Sequence, residues 1–325
     1  MGKQRGIQIV TDGLEHLPVV GAWCALQPGR VPQRVEILRQ KRSVKIARLP
    51  GVGREGSDVI AKRCERDVAL VEREIYDELL PRLPVDALTF YGFAEAQEEN
   101  LAWLFVEDAR GIEFAPNDPE HCAVATRWLA SLHTRATTLA TTSTLPDRGL
   151  QWYLQNLREA RETIQTNFNN PALTAADRAL LDRSLFRFDD VESRWTEVEA
   201  AIGRMPSTLV HGDIAERNVH LRRNGNGLSL LVFDWEVSGW GPPAVDLMFS
   251  DVGLYWLCVR DTWPDLDVAA LHQQVHLGKL LRGGLAASNW VAGALCTRWV
   301  ETAVRNLSIY FDRMSHSMRA LGWLD

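Results

Sequence analysis

The sequence predicts an α+β protein of two lobes, a small β-rich one followed by a larger, mostly helical one. Three observations point there. The chain has 325 residues, long for a single core. Short β-like runs gather before residue 107 around one helical pattern, and helical periodicity dominates after residue 111. An apolar share of 46% with 24% charged residues excludes a disordered chain. The longest weakly polar stretch, residues 284–296, is too short and too rich in Ala, Ser and Asn to cross a bilayer, so no membrane association is expected.

Taken in order, residues 1–30 are punctuated by Gly and Pro without a sustained period and read as irregular or partly paired. Residues 35–38, 44–48 and 58–62 read as strands. Val68, Val71, Ile75 and Leu79 recur at helical spacing over residues 64–80, and Pro81 and Pro84 stop that helix. Residues 88–93 and 102–106 are two further strands. The lobes divide as 1–107 and 108–325, with helices expected over 119–133, 150–168, 175–202 and from 243 to near the end. Two more strands, 219–221 and 228–233, flank a turn at residues 223–227 and make a hairpin within the helical part.

Five cysteines, at 24, 64, 122, 258 and 296, are an odd count without paired or metal-ligand spacing and read as reduced thiols, indicating neither a disulfide framework nor a zinc site. Residues 1–6 hold no apolar export core, and a cytoplasmic protein is expected. Net charge is −6, yet residues 30–66 carry +7 and the remainder −13. No nucleic-acid motif accompanies the basic stretch, so no nucleic-acid partner is expected. Solvated strand faces account for most of these cations, and a few facing a nucleotide triphosphate would serve equally.

The chemistry concentrates in His211-Gly212-Asp213-Ile214-Ala215-Glu216-Arg217-Asn218 and the apolar strand that ends in Asp234. Closing the hairpin brings Asn218, at the start of one strand, near Asp234, at the end of the other. An amide oxygen and a carboxylate so placed suit a hard cation such as Mg2+. Asp213 is left beside them to orient and deprotonate a hydroxyl, the arrangement of phosphoryl-transfer loops. Upstream, Lys62 closes a β-run ahead of a helix carrying Glu72 and Glu74. Such a lysine can be aimed at phosphates by a helix carboxylate, and Glu72 is the first choice because it shares a helix face with Tyr76 and Leu79.

Gly51-Val52-Gly53-Arg54-Glu55-Gly56 matches a GxGxxG pattern but sits only six residues before Lys62, and no helix follows it. It reads as a flexible turn between the second and third strands. The loop Arg39-Gln40-Lys41-Arg42-Ser43 is the better cover for phosphates, with Lys41, Arg42 and Ser43 as nucleotide contacts. Residues 101–108 form the inter-lobe hinge, where Val106, Glu107 and Asp108 offer backbone groups to a base.

In combination these motifs resemble the aminoglycoside phosphotransferase/choline kinase family. The resemblance also draws on Leu129-Ala130-Ser131-Leu132-His133, on Asp234-Trp235-Glu236 and on Gly241-Pro242-Pro243-Ala244-Val245-Asp246-Leu247. It implies a bilobal protein-kinase-like fold and MgATP-dependent transfer to a small-molecule hydroxyl, with GTP left open as donor. It further implies Asp213 as catalytic base, Asn218 and Asp234 as magnesium ligands, Lys62 as the phosphate-binding lysine with Glu72 its partner, and His211 and Asp246 as supports of the loop. Protein kinases carry a lysine two residues after the catalytic Asp. Ala215 stands there here, which favours a small substrate over a protein, and Arg217 is a candidate cation from another angle.

For the acceptor, residues 243–325 hold Trp256, Trp263, Trp290, Trp299 and Trp323 among acids that include Asp251 and Glu301. Indole faces with carboxylates suit a cationic acceptor, an aminoglycoside or amino alcohol, with Asp251, Trp256 and Glu301 as candidate contacts; helix–helix core explains the tryptophans equally. Two alternatives to a small-molecule O-kinase are a nucleotide-binding pseudokinase or partner-binding module, and a protein Ser/Thr kinase. The last ranks lowest, because residues 234–241 are too few for an activation segment. A monomer or homodimer is expected.

Overall fold

Six antiparallel strands in the order β1-β2-β3-β4-β6-β5 build the sheet of the first part of the chain. The computed structural model describes residues 7–41, 44–225 and 227–325. The strands are β1 Gln8–Val10, β2 Val35–Gln40, β3 Lys45–Leu49, β4 Val59–Glu65, β5 Phe90–Glu95 and β6 Leu101–Glu107. Five of them coincide with runs marked in the sequence. The segment expected to be irregular or partly paired is paired at β1 and also holds an unexpected helix, α1 (Pro18–Leu26). Three residues are too few to show a period, and α1 buries only Val19, Val20 and Trp23. Its start is nonetheless regular, with Pro18 in the first turn, where a missing N–H costs nothing.

Alternation along β4 decides where Lys62 goes. Val59 and Ala61 pack with Trp23, Val35, Ala47 and Phe105, whereas Cys64 packs with Ala69, Ala102 and Leu104 on the opposite face. Lys62 shares the Cys64 side, the one covered by α2 (Arg66–Glu74), whose buried residues are Ala69 and Glu72. The helix expected to run to residue 80 instead relaxes into a π-turn, Ile75–Leu79, and a 3₁₀ turn, Leu80–Arg82. Pro81 supplies no N–H there, so the α-helical ladder cannot continue through it.

The chain divides into two compact units, residues 1–115 with 216–237 and residues 116–215 with 238–325. The hairpin of Val219–Asn224 and Gly227–Val232 therefore groups with the strand-rich unit, where a division at 107 had placed it with the helices. Its first strand pairs with β7 (Ile112–Glu113). A Cβ at Gly111 would lie 2.2 Å from the Leu221 carbonyl oxygen, so glycine is what lets these strands close.

In the second unit the principal helices are Pro119–Ala136, Leu150–Asn167, Ala175–Ser193, Trp195–Ile202, Val252–Val259, Val268–Lys279 and Val300–Ala320. Thr208–Val210 and Gly239–Gly241 form a two-stranded ribbon among them. Asp118 caps the first helix by accepting the N–H groups of Glu120 and His121, and Thr174 with Asp177 forms a capping box on the third. The single helix expected over 175–202 is two, parted at Arg194. Gly278 lets helix Val268–Lys279 lie on the turn Pro243–Phe249, since a Cβ there would meet the Ala244 carbonyl oxygen at 2.1 Å. No described helix is long and apolar enough to cross a membrane.

Candidate functional site

On the first unit, Lys62 sits inside a ring of carboxylates. Its Nζ donates to Glu72 Oε1 at 2.5 Å, to Asp234 Oδ1, and to Glu236 Oε2 at 3.4 Å. Glu72 is the helix partner because Ala69, Glu72 and Tyr76 form one buried stripe, whereas Glu74 lies off it. Burial works against a charge on Lys62, but Glu72, Asp234 and Glu236 override it and raise its pKa, so the ammonium persists at neutral pH. Burial pushes Glu72 upward, opposed by Lys62 and reinforced by Asp234 and Glu236.

The hairpin register explains how Asp234 and Asn218 come together. Val219 pairs with Val232, and the Phe233 N–H donates to the Asn218 carbonyl at 3.1 Å, carrying the ladder one step further. Asn218, 3% exposed, and Asp234 thus occupy the open end of the hairpin. The turn at the other end is shorter than residues 223–227, because Asn224 pairs directly with Gly227. Asp234 has φ +68°, a left-handed conformation that costs a non-glycine residue about 1 kcal/mol or more.

Glu72, Asp234 and Glu236 can each offer one oxygen to a common point, these atoms lying within 4.8 Å of one another. Three hard oxygen donors around a single ammonium fit a hard divalent cation such as Mg2+. Sequence reasoning gave Glu236 no role. Its signal was a second carboxylate two residues after Asp234.

On the second unit, the segment His211–Asp213 is held through its three N–H groups and the His211 and Gly212 carbonyls. Asp246, fully buried, accepts the N–H of His211 at 2.7 Å and of Gly212 at 2.9 Å. Ser238 Oγ donates to the His211 carbonyl at 2.9 Å, and the Asp213 N–H donates to His211 Nδ1 at 3.1 Å. Gly212 takes φ +73°, which glycine permits without strain. His133, also fully buried, lies with Nε2 3.4 Å from Asp246 and Nδ1 2.9 Å from the Tyr255 hydroxyl. Because a carboxylate only accepts, His133 Nε2 is the donor in the contact with Asp246.

Burial disfavours the charge on Asp246, yet the His133 hydrogen bond and charge, with those of His211, hold its pKa below the usual 3.8. A depressed carboxylate stabilises the fold above its unfolded pKa and loses that contribution only as pH falls through the folded value, here below about 4. Asp246→Ala is expected to lower the unfolding free energy by about 3 kcal/mol near neutrality, because two buried N–H groups lose their acceptor. An unchanged denaturant midpoint would show that they find another.

A second residue beyond the reach of sequence reasoning meets this segment. Arg282 makes an ion pair with Asp213 Oδ1 and donates through Nε to the Gly212 carbonyl at 3.3 Å. The available signal was an arginine inside the apolar run Leu280-Leu281-Arg282-Gly283-Gly284-Leu285, where a charge needs a partner.

The other sequence candidates are less concentrated. Lys41 is exposed just after β2, its N–H donating to the Val44 carbonyl at 2.7 Å, while Arg42 and Ser43 lie outside the described residues. Residues 51–56 do form the β3–β4 turn, but a pinned rather than a flexible one. Tyr91 Oη accepts from the Arg54 N–H at 2.9 Å and lies 3.1 Å from Ser57 Oγ, and Asp58 accepts the Gly51 N–H. At the hinge, Val106 is a buried strand residue. The N–H groups of Glu107 and Asp108 donate to the carbonyls of Thr89 and Asp58, and their carboxylates pair with Arg222 and Arg48.

Asp251 caps helix Val252–Val259 by accepting the Leu254 N–H. Trp256 donates to the Leu266 carbonyl and lies under Arg260, 5.1 Å from its ring centroid. Arg298 and Arg194 cover Trp299 and Trp323 in the same way. These indole faces already hold cations of the chain itself. Glu301 is exposed in the first turn of Val300–Ala320.

The family model described as phosphotransferase enzyme family, APH, matches residues 51–286. No curated protein matches by sequence. Among solved structures, the aminoglycoside phosphotransferase APH(2")-IIia in complex with GDP and kanamycin is similar with a TM-score of 0.63 at 15% identity, covering 91% of this chain and 98% of that one. Choline kinase from Cryptosporidium parvum Iowa II gives 0.62 at 14%, over 94% and 97% of the two chains. Spectinomycin phosphotransferase APH(9)-Ia with ADP and spectinomycin gives 0.54 at 10%, over 90% and 95%. At such identities the likeness is one of fold: an α+β, kinase-like architecture with a β-sheet N-terminal region and a helical C-terminal part.

Proposed function

The chain belongs to the phosphotransferase enzyme family, and from that premise we propose that it moves the γ-phosphate of ATP, or of GTP, to a hydroxyl of a small cationic acceptor. The observation that carries this reading is the ring of Glu72, Asp234 and Glu236 around Lys62. A permanent ammonium beside hard oxygen donors is what a triphosphate and its cation require.

In the proposed reaction Lys62 binds phosphate oxygens and Glu72 holds the ammonium in place. Asn218, Asp234 and Glu236 would hold Mg2+, which when bound neutralises charge on the phosphate oxygens. Asp213 accepts a hydrogen bond from the acceptor hydroxyl and takes its proton. A new P–O bond to the acceptor forms as the bond to the β-phosphate breaks, and the nucleoside diphosphate leaves with that electron pair. His211, Asp246 and Ser238 keep the loop backbone fixed, so that no reorganisation is needed during transfer.

A cationic acceptor is supported by charge, since the chain outside residues 30–66 sums to −13. Kanamycin in one similar structure, spectinomycin in another and the choline of a third kinase all carry basic or quaternary nitrogen. Trp256, Trp299 and Trp323 each already have one arginine of the chain against the ring, so the reading does not rest on them.

The test is a screen of nucleoside diphosphate release with MgATP and with MgGTP over aminoglycosides, amino alcohols and neutral sugars. Turnover confined to amine-bearing alcohols is expected. Transfer to neutral sugars alone would overturn the acceptor class. Tight MgATP or MgGTP binding without transfer to any member would favour a non-catalytic module.

A further inference from the structure

Arg282 has a place in the fold that a surface arginine would not need. It is 8% exposed and projects from the π-turn Leu280–Ala286, between helices Val268–Lys279 and Ala287–Ala292. Burying a guanidinium is costly unless its donors are met. Here Nη2 meets Asp213, Nε meets the Gly212 carbonyl and Nη1 lies 3.3 Å from Met248 Sδ. The π-turn is itself a costly backbone choice, and such turns recur where a side chain must be re-aimed. Gly284, two residues on, sits where a Cβ would approach Met314 Cβ at 3.3 Å, so the turn is pressed against helix Val300–Ala320. The base of the arginine is therefore fixed, and its head meets one carboxylate.

Position 215, where protein kinases carry a lysine, is an alanine, 7% exposed. Resting on the phosphotransferase reading above, we propose that Arg282 is a positioning residue for Asp213: delivered from a chain-distant π-turn, it pairs with one carboxylate oxygen and fixes the plane of the carboxylate for the acceptor hydroxyl. Arg217, the cation considered from sequence, is not required for this role. A purely structural arginine would act through the Gly212 carbonyl alone, and its loss would show in stability without a specific loss of turnover.

The test compares Arg282→Met, Arg282→Lys and Arg282→Ala with Asp213→Asn in the full chain. The readouts are transfer to the best acceptor, phosphate release from MgATP and MgGTP with water as acceptor, and thermal melting. Arg282→Met should lower kcat about 100-fold with KM for the nucleotide unchanged. Arg282→Lys should recover most of that loss, and millimolar guanidinium should partly restore Arg282→Ala. Adding Arg282→Met to Asp213→Asn should lower turnover no further, because the arginine acts through that carboxylate.

Full kcat in Arg282→Met would overturn the proposal. So would a loss that guanidinium and lysine fail to recover and that tracks a fall in melting temperature. If Asp213→Asn itself turns over at the wild-type rate, Asp213 leaves the mechanism and this inference falls with it, while the phosphotransferase reading stands; if the wild type transfers phosphate neither to water nor to any acceptor, the phosphotransferase reading fails first. An inactive Asp213→Asn beside a fully active Arg282→Met removes Arg282 alone.

Discussion

Asp213→Asn is expected to reduce phosphate transfer roughly 10³-fold while leaving nucleotide affinity unchanged. That loss corresponds to about 4 kcal/mol of transition-state stabilisation. The amide keeps the shape of the carboxylate and can still accept a hydrogen bond, so the loop is not emptied. What it cannot do is take a proton from the acceptor hydroxyl. Its effect on stability has a definite sign, because Arg282, with a side chain 9% exposed, loses the anion it is paired with. A buried guanidinium left with a carbonyl, a thioether and a neutral amide should destabilise the fold by about 1–3 kcal/mol. The nucleotide contacts proposed here lie on the other compact unit, which is why affinity should hold. Titration of a fluorescent nucleotide analogue alongside single-turnover transfer measures both quantities. Transfer at the wild-type rate would remove Asp213 from the mechanism, and a parallel loss of nucleotide affinity would mean that its role is binding.

Much of the fold was legible because it rests on periodic signals. β2 to β6 alternate or run apolar between turn residues, and the hairpin at 219–232 is framed by Val219 and Val232 around a glycine-bearing turn. Lys62 could be matched to Glu72 because the helix face fixes which of two glutamates points inward. What escaped had no period to show. β1 is three residues long, and α1 displays a short apolar cluster in a Gly- and Pro-rich setting. The break at Arg194 lies within a continuous helical pattern that no Gly or Pro interrupts.

The site separates in the same way. Local spacing carried Asp213, Asn218 and Asp234, since a loop and one hairpin hold all three. Arg282 lies 69 residues from its partner, and nothing in the pattern between them says that they meet. The tryptophans are ambiguous for a related reason. An indole looks alike in sequence whether its face awaits a ligand or is covered, and Arg260, Arg298 and Arg194 are what cover Trp256, Trp299 and Trp323. Proximity in sequence would have paired only the first two.

Asp234→Asn should separate function from stability in the opposite sense to Asp213→Asn. Lys62 is surrounded by three carboxylates, so the ring carries an excess of negative charge before any cation arrives. Removing one of them relieves repulsion between Asp234, Glu72 and Glu236 and leaves the ammonium with its 2.5 Å partner Glu72. Asparagine is the informative replacement, because position 234 has φ +68° and asparagine tolerates that conformation as well as aspartate does, whereas alanine would add backbone strain. The melting temperature without ligands should therefore stay within about 2 °C of wild type or rise. Transfer should fall about 10³-fold, and the magnesium concentration needed for half-maximal rate should increase. Added MgATP should raise the melting temperature of the variant less than that of the wild type, since stabilisation by a ligand scales with its affinity for the folded state. A site that weakens function while leaving the empty fold unharmed is one whose charges are arranged for a ligand and against themselves. Calorimetry with and without MgATP, run beside a magnesium titration of the rate, measures each quantity. A melting point several degrees lower with an unchanged magnesium requirement would make Asp234 a structural partner of Lys62 and nothing more.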